Sequence, residues 1–317
     1  MPELSKRVGT FTDSVIRRMT RISDSTPGSI NLSQGFPDFD PPKEILEALK
    51  KNAEGGPQHQ YSITFGAENI RKCVAEKYSP LFGREIDPDK EVVITCGSTE
   101  AMMASMMTVC NPGDNVIVFS PFYENYGADA ILSGANPIYV DLVPPAFSFD
   151  KEKLEEASKN NVKAIIVCNP SNPCGKVFTK KELEFIVGLA VKYDAFVITD
   201  EVYEHIIFAP HEHTYCASLP SAWGRVITCN SLSKTFSITG WRIGFAIAPE
   251  NVAEGIKKVH DFLTVGAAAP LQEAVCAGFK LGEPYYKSLQ ALYTKKKAVF
   301  LEGLDKAGLN HNDPEGA

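Results

Sequence analysis

Arg225-Val-Ile-Thr-Cys-Asn-Ser-Leu-Ser-Lys234-Thr-Phe, with Gly240-Trp-Arg242 shortly after it, is the most informative segment of this chain. Its β-branched first half predicts a buried strand, which places Lys234 at the strand's carboxyl end. Ligands bind at that edge of open α/β sheets. Most lysines are solvated surface residues, but small hydroxyl residues and a second cation flank this one. That pattern favours a site for a phosphorylated carbonyl compound.

Two more polar segments follow apolar runs. Asn169-Pro-Ser-Asn172-Pro-Cys-Gly175 follows Ala164-Ile-Ile-Val-Cys168, and its prolines and glycine predict a rigid turn that fixes the Asn172 amide. The run Ala195-Phe-Val-Ile-Thr ends in Asp200, and Tyr203 comes three residues later. A plain turn and a helix cap are the simpler interpretations of each segment alone. Together, these strand ends predict a site that combines an amine, an acid and hydrogen-bond donors.

These segments resemble the class I/II aminotransferases of fold type I, which use pyridoxal 5′-phosphate. The resemblance extends from Ser33-Gln-Gly-Phe-Pro-Asp38 to Pro314-Glu-Gly-Ala317. It implies that Lys234 forms a Schiff base with the cofactor, and that Asp200 contacts the pyridine nitrogen. The other implied cofactor contacts are Asn172 and Tyr203 to the phenolic oxygen, and Ser231 and Arg242 to the phosphate. Tyr203 is expected to be catalytic together with Lys234 and Asp200.

The resemblance implies further contacts in other segments. Ser98 and Thr99 follow the predicted strand Glu91-Val-Val-Ile-Thr95 and a glycine, at a helix start that favours phosphate, although an ordinary N-cap explains the turn as well. Tyr123 is the expected ring stacked on the cofactor, with Phe122 as a core alternative. Tyr61 is expected to reach the phosphate of a partner subunit, which implies a homodimer, and Gly35 is expected to border the substrate.

Strand and helix signals alternate, so the sequence predicts an α/β fold with a mainly parallel, seven-stranded sheet between helices. A capping box at Thr179 and Glu182 marks one helix, and a helix-like stretch is expected from Phe11 to Met19. The predicted divisions are an N-terminal arm with part of a small domain (1–45), a large cofactor-binding domain (46–285) and the start of the C-terminal small domain (286–317). In the resembling family an arginine further along binds the substrate carboxylate, so we expect the small domain to be truncated.

Composition excludes several classes of protein. The net charge is −7 and basic blocks are lacking, so nucleic acid is not an expected partner. Eight cysteines are scattered through the sequence, which is typical of reduced thiols in a cytosolic protein. There is no apolar run long enough to span a membrane, and no leader segment is recognisable. These features predict a cytoplasmic enzyme. The methionines from Met102 to Met107 are expected to fill a core. His211-Glu-His213 is expected to lie in a surface loop, and no metal is expected.

The expected reaction moves an amino group between an L-amino acid and a 2-oxo acid, with Lys234 transferring the proton and Asp200 keeping the ring nitrogen protonated. Aromatic or sulfur-containing substrates are favoured. The alternatives are an aspartate- or alanine-type aminotransferase, a carbon–sulfur β-lyase of the same fold, and a fragment that binds the cofactor but is catalytically impaired. A regulatory protein would need a DNA-binding module before Gly35, and a nicotinamide-dependent dehydrogenase would need a Gly-x-Gly-x-x-Gly turn, which this sequence lacks.

Overall fold

A computed structural model describes residues 2–11 and 13–317. Its central feature is a mixed sheet in the strand order β1-β8-β7-β6-β5-β2-β3-β4. The strands are β1 Val92–Thr95, β2 Asn115–Ser120, β3 Asn136–Val143, β4 Ser148–Phe149, β5 Val162–Cys168, β6 Phe196–Asp200, β7 Val226–Ser231 and β8 Gly244–Ile247. Strands β7, β6, β5, β2 and β3 are parallel neighbours, whereas β8 is antiparallel to both β7 and β1.

The predicted α/β class and mainly parallel sheet are confirmed, but the predicted count of seven strands is wrong. The sheet has eight strands within the described residues. The additional strand, β4, consists of Ser148 and Phe149 and pairs with Leu142 and Val143 of β3. Two residues are too few for an alternating pattern to be recognised in a sequence.

Helices cover both faces of the sheet. Their bounds are α1 Val15–Asp24, α2 Lys43–Ala53, α3 Glu68–Phe82, α4 Ser98–Val109, α5 Asn125–Leu132, α6 Lys151–Ser158, α7 Lys180–Lys192, α8 Glu250–Thr264, α9 Ala269–Phe279 and α10 Gly282–Lys306. Adjacent residues of one strand contribute to different cores, since Ile117 packs in one buried cluster and Val118 in the other. This alternation is the expected consequence of burying both faces of a sheet.

Several local predictions can be compared with the helices. The capping box of α7 is present, because Thr179 Oγ1 accepts from the N–H of Glu182 and the Glu182 carboxylate accepts from the N–H of Thr179. The first helix begins at Val15 and ends at Asp24, later than expected, and residue 12 of the predicted stretch lies outside the described residues. Met102 and Met106 are buried in the core as predicted, whereas Met107 is exposed. None of the described helices is both long and apolar enough to cross a membrane.

Candidate active site

The carboxyl ends of three parallel strands bring the predicted segments to one edge of the sheet. Cys168 at the end of β5 is in register with Asp200 on β6, and Asp200 is in register with Cys229 on β7. The N–H of Asn169 donates to the backbone oxygen of Asp200 over 3.0 Å. The Asn172 turn, Asp200 and the turn that holds Lys234 are therefore adjacent at this edge.

Lys234 is half-buried in the turn after β7. Its Nζ donates a 2.6 Å hydrogen bond to the backbone oxygen of Gly35 and lies 5.5 Å from the centre of the Tyr203 ring. Burial lowers the pKa of the Lys234 amine, and the nearby Arg242 cation lowers it further, while the Asp200 carboxylate opposes the shift. The amine therefore loses its proton more readily than an exposed lysine, as a nucleophile or general base requires.

Asp200 is 5% exposed, and protein donors surround its carboxylate. Tyr126 Oη donates to Oδ2 over 2.8 Å, and the N–H of Val202 makes a longer contact of 3.4 Å with Oδ1. Burial raises the pKa of Asp200 to about 6, although the Tyr126 bond opposes the shift. The sequence interpretation did not include Tyr126. Its position three residues after Tyr123 is the only local signal that could have suggested it.

The start of α4 and the residues before β8 form a cradle beside this edge. Gly97 has a φ of +82°, and a Cβ built there would lie 2.3 Å from Nη2 of Arg242. Arg242 itself has a left-handed backbone, with a φ of 55°, and its Nη1 donates to the Thr239 backbone oxygen over 2.9 Å. The guanidinium is thus held directly against the turn that leads into Ser98 and Thr99. A helix N-terminus and a cation in contact match the chemistry of a phosphate group.

The remaining predicted contacts occupy different environments. Ser231 is buried, and its hydroxyl lies 2.6 Å from Ser233 Oγ and 3.2 Å from the Ile243 backbone oxygen, so its partners are inside the turn. Tyr203 is half-buried, and burial raises the pKa of its hydroxyl. Tyr123 is also half-buried, with its ring perpendicular to that of Tyr126 at 5.8 Å between centres.

The turn that carries Asn172 is fixed by the last residues of the chain. The N–H groups of Glu315 and Gly316 donate to the backbone oxygen of Gly175 over 2.8 and 2.9 Å. The Glu315 carboxylate also accepts from the N–H of Val177 over 2.8 Å. The loop that carries the half-buried Asn172 is therefore braced by Glu315 and Gly316, which are distant in the sequence.

Tyr61 lies apart from these residues within a single copy of the chain. Its side chain is 90% exposed, so its own chain covers very little of the ring. Gly35 is different, because its carbonyl oxygen is the acceptor for Lys234. The structure thus brings Gly35 to the site and leaves Tyr61 on the surface.

The expectation that His211-Glu-His213 lies in a surface loop is confirmed for the exposed Glu212 but is wrong for His213. Its side chain is 7% exposed and its Nε2 lies 3.0 Å from Oε2 of Glu201, which is itself buried. The ring also packs against Tyr215, with 4.5 Å between ring centres. The polar sequence around His213 gave no indication of these partners, since Glu201 follows β6 and meets the loop only after folding. Among the described residues, no group of three or more His, Cys, Asp or Glu side chains is arranged to hold a metal ion.

Comparison with known proteins links this geometry to one family. The protein-family model described as aminotransferase class I and II matches residues 27–317. A kynurenine–oxoglutarate transaminase of Dictyostelium discoideum is 35% identical, over 98% of this chain and 76% of that protein. Among solved structures, an N-succinyldiaminopimelate aminotransferase from Mycobacterium tuberculosis matches with a TM-score of 0.95 at 32% identity, over 100% of this chain and 82% of that one. An Escherichia coli protein with a methionine aminotransferase function matches with a TM-score of 0.94 at 30% identity, over the same shares of the two chains.

Proposed function

The chain belongs to the class I and II aminotransferases, and on that premise we propose that Lys234 and Asp200 form its catalytic centre. It is an enzyme that uses pyridoxal 5′-phosphate to move an amino group between an amino acid and a 2-oxo acid. One observation supports the assignment most strongly. An amine whose pKa is lowered and a buried carboxylate lie at the carboxyl ends of neighbouring parallel strands, and each affects the ionisation of the other.

The residues around this centre fit the cofactor. Arg242 packed on Gly97 at the start of α4 supplies a cation and free backbone N–H groups for the phosphate. Lys234 would hold the aldehyde carbon, and Asp200 the ring nitrogen. The other proposed contacts are Ser98, Thr99, Ser231 and the partner subunit's Tyr61 to the phosphate, Asn172 and Tyr203 to the phenolic oxygen, and Tyr123 against the ring. When bound, pyridoxal phosphate acts as an electron sink for the substrate.

The chain's own residues would manage the proton. Once the substrate amine has replaced it at the aldehyde carbon, the freed Lys234 Nζ would take the proton from the substrate Cα, which requires a neutral amine, and the lowered pKa of Lys234 supports this role. The Gly35 backbone oxygen accepts from the same Nζ over 2.6 Å and so restrains the amine. Because Gly35 belongs to the loop that faces Lys234, we assign this loop to the border of the substrate site.

We propose that the active site is completed in a homodimer. The segments around Tyr61 and Phe262 lie together, since Nε2 of His260 is 2.8 Å from the Thr64 backbone oxygen. Tyr61 is 90% exposed and Phe262 is 92% exposed. The apolar side chains of Ile63, Leu263 and Val265 are also exposed. Adjoining exposed apolar residues are typical of a protein interface, and a second copy would place Tyr61 next to a phosphate.

We propose a preference for aromatic or sulfur-containing amino acids. The names of the Dictyostelium and Escherichia coli relatives, which refer to kynurenine and methionine, support this preference. The test is to incubate the purified holoprotein with a panel of amino acids and 2-oxoglutarate and to measure the 2-oxo acid and glutamate formed. We expect aromatic donors and methionine to give the highest kcat/KM. Higher values with aspartate or alanine would overturn the preference, and the absence of any amino transfer would overturn the proposed activity of this chain.

The location and domain division are also proposals. All eight cysteines are unpaired, and Cys168, Cys216 and Cys229 are buried in the core, which supports a reducing compartment such as the cytoplasm. We assign residues 46–285 to the cofactor-binding domain, with residues 1–45 and 286–317 contributing to a small domain. Helix α10 runs continuously across the second boundary, from Gly282 to Lys306.

A further inference from the structure

A second carboxyl group is buried on the helix that contributes Tyr126 to the Asp200 site. Asp129 lies on α5 and is 4% exposed. Its Oδ2 has no hydrogen-bond partner in the described part of the chain. Asp129 lies one helical turn after Tyr126, whose hydroxyl donates to Asp200. The titratable groups whose charges interact with that of Asp129 are those of Asp200 on β6, Cys229 on β7 and Tyr123 ahead of α5. Asp129 is not among the residues of the proposed mechanism.

Asp200 and Asp129 differ in the hydrogen-bond donors available to their carboxyl groups. Asp200 accepts from the Tyr126 hydroxyl and lies near the Lys234 amine, so its ionised form is stabilised. Within the described residues Asp129 Oδ2 has no donor, and the neighbours of Asp129 on α5, Tyr126 and Ala130, belong to an apolar cluster. An ionised carboxylate without donors in such surroundings is costly. The proton therefore stays on Asp129 when the pair holds only one.

We propose that Asp129 is a positioning residue that stays protonated at neutral pH and thereby lets Asp200 ionise to hold the cofactor's ring nitrogen. This proposal rests on the function assigned above to Asp200. It assigns a purpose to a buried acid that would otherwise only destabilise the fold. Asp129 acts through Asp200 and is not expected to touch the substrate.

The ionisation of the pair agrees with this division of roles. Burial, followed by the charge of Asp200, raises the pKa of Asp129 to about 8. The pKa of Asp200 is raised by burial to about 6. Near neutral pH the first group is mostly protonated and the second mostly ionised. Facing carboxyls that share an apolar site commonly separate in this way.

Infrared spectroscopy of the apoprotein in D2O tests the proton on Asp129 without the cofactor. At neutral pH we expect a carboxylic-acid C=O band that is lost in Asp129→Asn and retained in Asp141→Asn, the control at an exposed position of β3. The band should disappear above about pH 8 in the wild type. In Asp200→Asn its midpoint should fall by roughly one unit or more, because the facing charge is removed. If Asp129→Asn fails to fold, Asp129→Leu should give the same loss.

The holoprotein tests the effect on the cofactor. Absorbance of bound pyridoxal phosphate should show a transition near pH 8 in the wild type that is missing in Asp129→Asn. A spectrum without the acid band, or a band whose midpoint is unchanged in Asp200→Asn, overturns the proposal. Identical pH titrations of the cofactor absorbance in wild type and Asp129→Asn would also overturn it. Failure of Lys234 to bind the cofactor would instead overturn the proposed function, and the apoprotein infrared result would still decide the state of Asp129.

Discussion

The Tyr126 hydroxyl donates a 2.8 Å hydrogen bond to Oδ2 of Asp200, across 74 positions of the sequence. The bond joins the helix that follows the Tyr123 segment to the end of β6. Because it stabilises the ionised carboxylate, it opposes the effect of burial on the pKa of Asp200. In the proposed site, the charge that would hold the cofactor's ring nitrogen therefore depends on a residue outside the direct contacts.

Replacing Tyr126 with phenylalanine should move the ionisation of Asp200 to higher pH. A hydrogen bond to a charged group contributes about 1.5–3 kcal/mol, which corresponds to roughly one to two pH units. In the wild type, affinity for pyridoxal phosphate should fall as the pH drops through about 6. In Tyr126→Phe the same loss should occur at higher pH, as measured by fluorescence titration. Tyr139→Phe, at a half-exposed ring, is the control, and an equal midpoint in Tyr126→Phe and wild type would contradict the role of the bond.

Lys234 should be the attachment point of the cofactor. Borohydride reduction of the holoprotein followed by peptide mapping should place the label on Lys234 and on no other lysine. Removing a general base typically lowers the rate by about 10²–10⁴-fold, so Lys234→Ala should lose at least that much of kcat. Lys153→Ala on the exposed face of α6 should keep wild-type kinetics. A label on Lys176, which is buried in an ion pair with Glu182, would refute the assignment.

Gly97→Ala should impair the phosphate cradle more than the fold. The added methyl would lie 2.3 Å from Arg242 Nη2, at a residue with a φ of +82°. Displacing the guanidinium, together with backbone strain of about 1–3 kcal/mol, should weaken cofactor affinity by roughly tenfold or more. Equilibrium binding of pyridoxal phosphate gives the measurement. Gly188→Ala on α7 is the matched control, since nothing lies within 4 Å of the added methyl, and it should leave affinity unchanged.

The buried ion pair of Lys77 and Glu204 should be essential for stability. Nζ lies 2.7 Å from Oε1, and the two side chains are 12% and 2% exposed. Glu204→Gln leaves a buried ammonium without its partner, which costs about 3–5 kcal/mol. Urea denaturation at pH 7 measures the loss. Glu250→Gln, at an exposed pair with Lys90, should change the free energy of unfolding by less than about 1 kcal/mol.

The same pair predicts a pH dependence. Although burial opposes it, Lys77 and His205 hold the pKa of Glu204 well below its usual range. A lowered carboxyl pKa stabilises the fold above the unfolded value near 4.3, and this contribution disappears as the pH falls further. The difference between wild type and Glu204→Gln should therefore shrink below about pH 4. A constant difference down to pH 2.5 would argue against the pair as its source.

Mixing inactive variants should reveal whether the site is shared between subunits. Tyr61→Ala loses the contact that it would make in the partner's site, and Lys234→Ala loses its own amine. In a mixed dimer one site keeps both residues, so equal amounts after subunit exchange should recover about a quarter of the wild-type activity. Recovery requires that Tyr61→Ala alone is strongly impaired. Absence of recovery in confirmed mixed dimers would place Tyr61 outside the partner's site.

Local pattern was sufficient for most of the framework. The apolar runs that end at Cys168 and Asp200 are strands, and the Thr179–Glu182 capping box begins α7 as predicted. Such features depend on residues a few positions apart, whose periodicity and caps are visible in a sequence. The two-residue β4 lacks that information, and the polar composition around His213 was misleading because its partner Glu201 is on another segment.

The amino-acid order alone placed a lysine, an acid and an amide at the ends of neighbouring strands, because strand direction and sheet register follow from hydrophobic pattern. Only folding could bring Tyr126 to Asp200, or place Arg242, whose backbone is left-handed, against Gly97. It also buried Asp129 one turn of α5 after Tyr126, with no donor to its Oδ2 among the residues that the structure describes. These contacts join segments far apart in the chain, and their energies depend on burial and on charges that meet in the packed structure. The types of side chain in the site could thus be predicted from the sequence, whereas the ionisation of these side chains was set by tertiary packing.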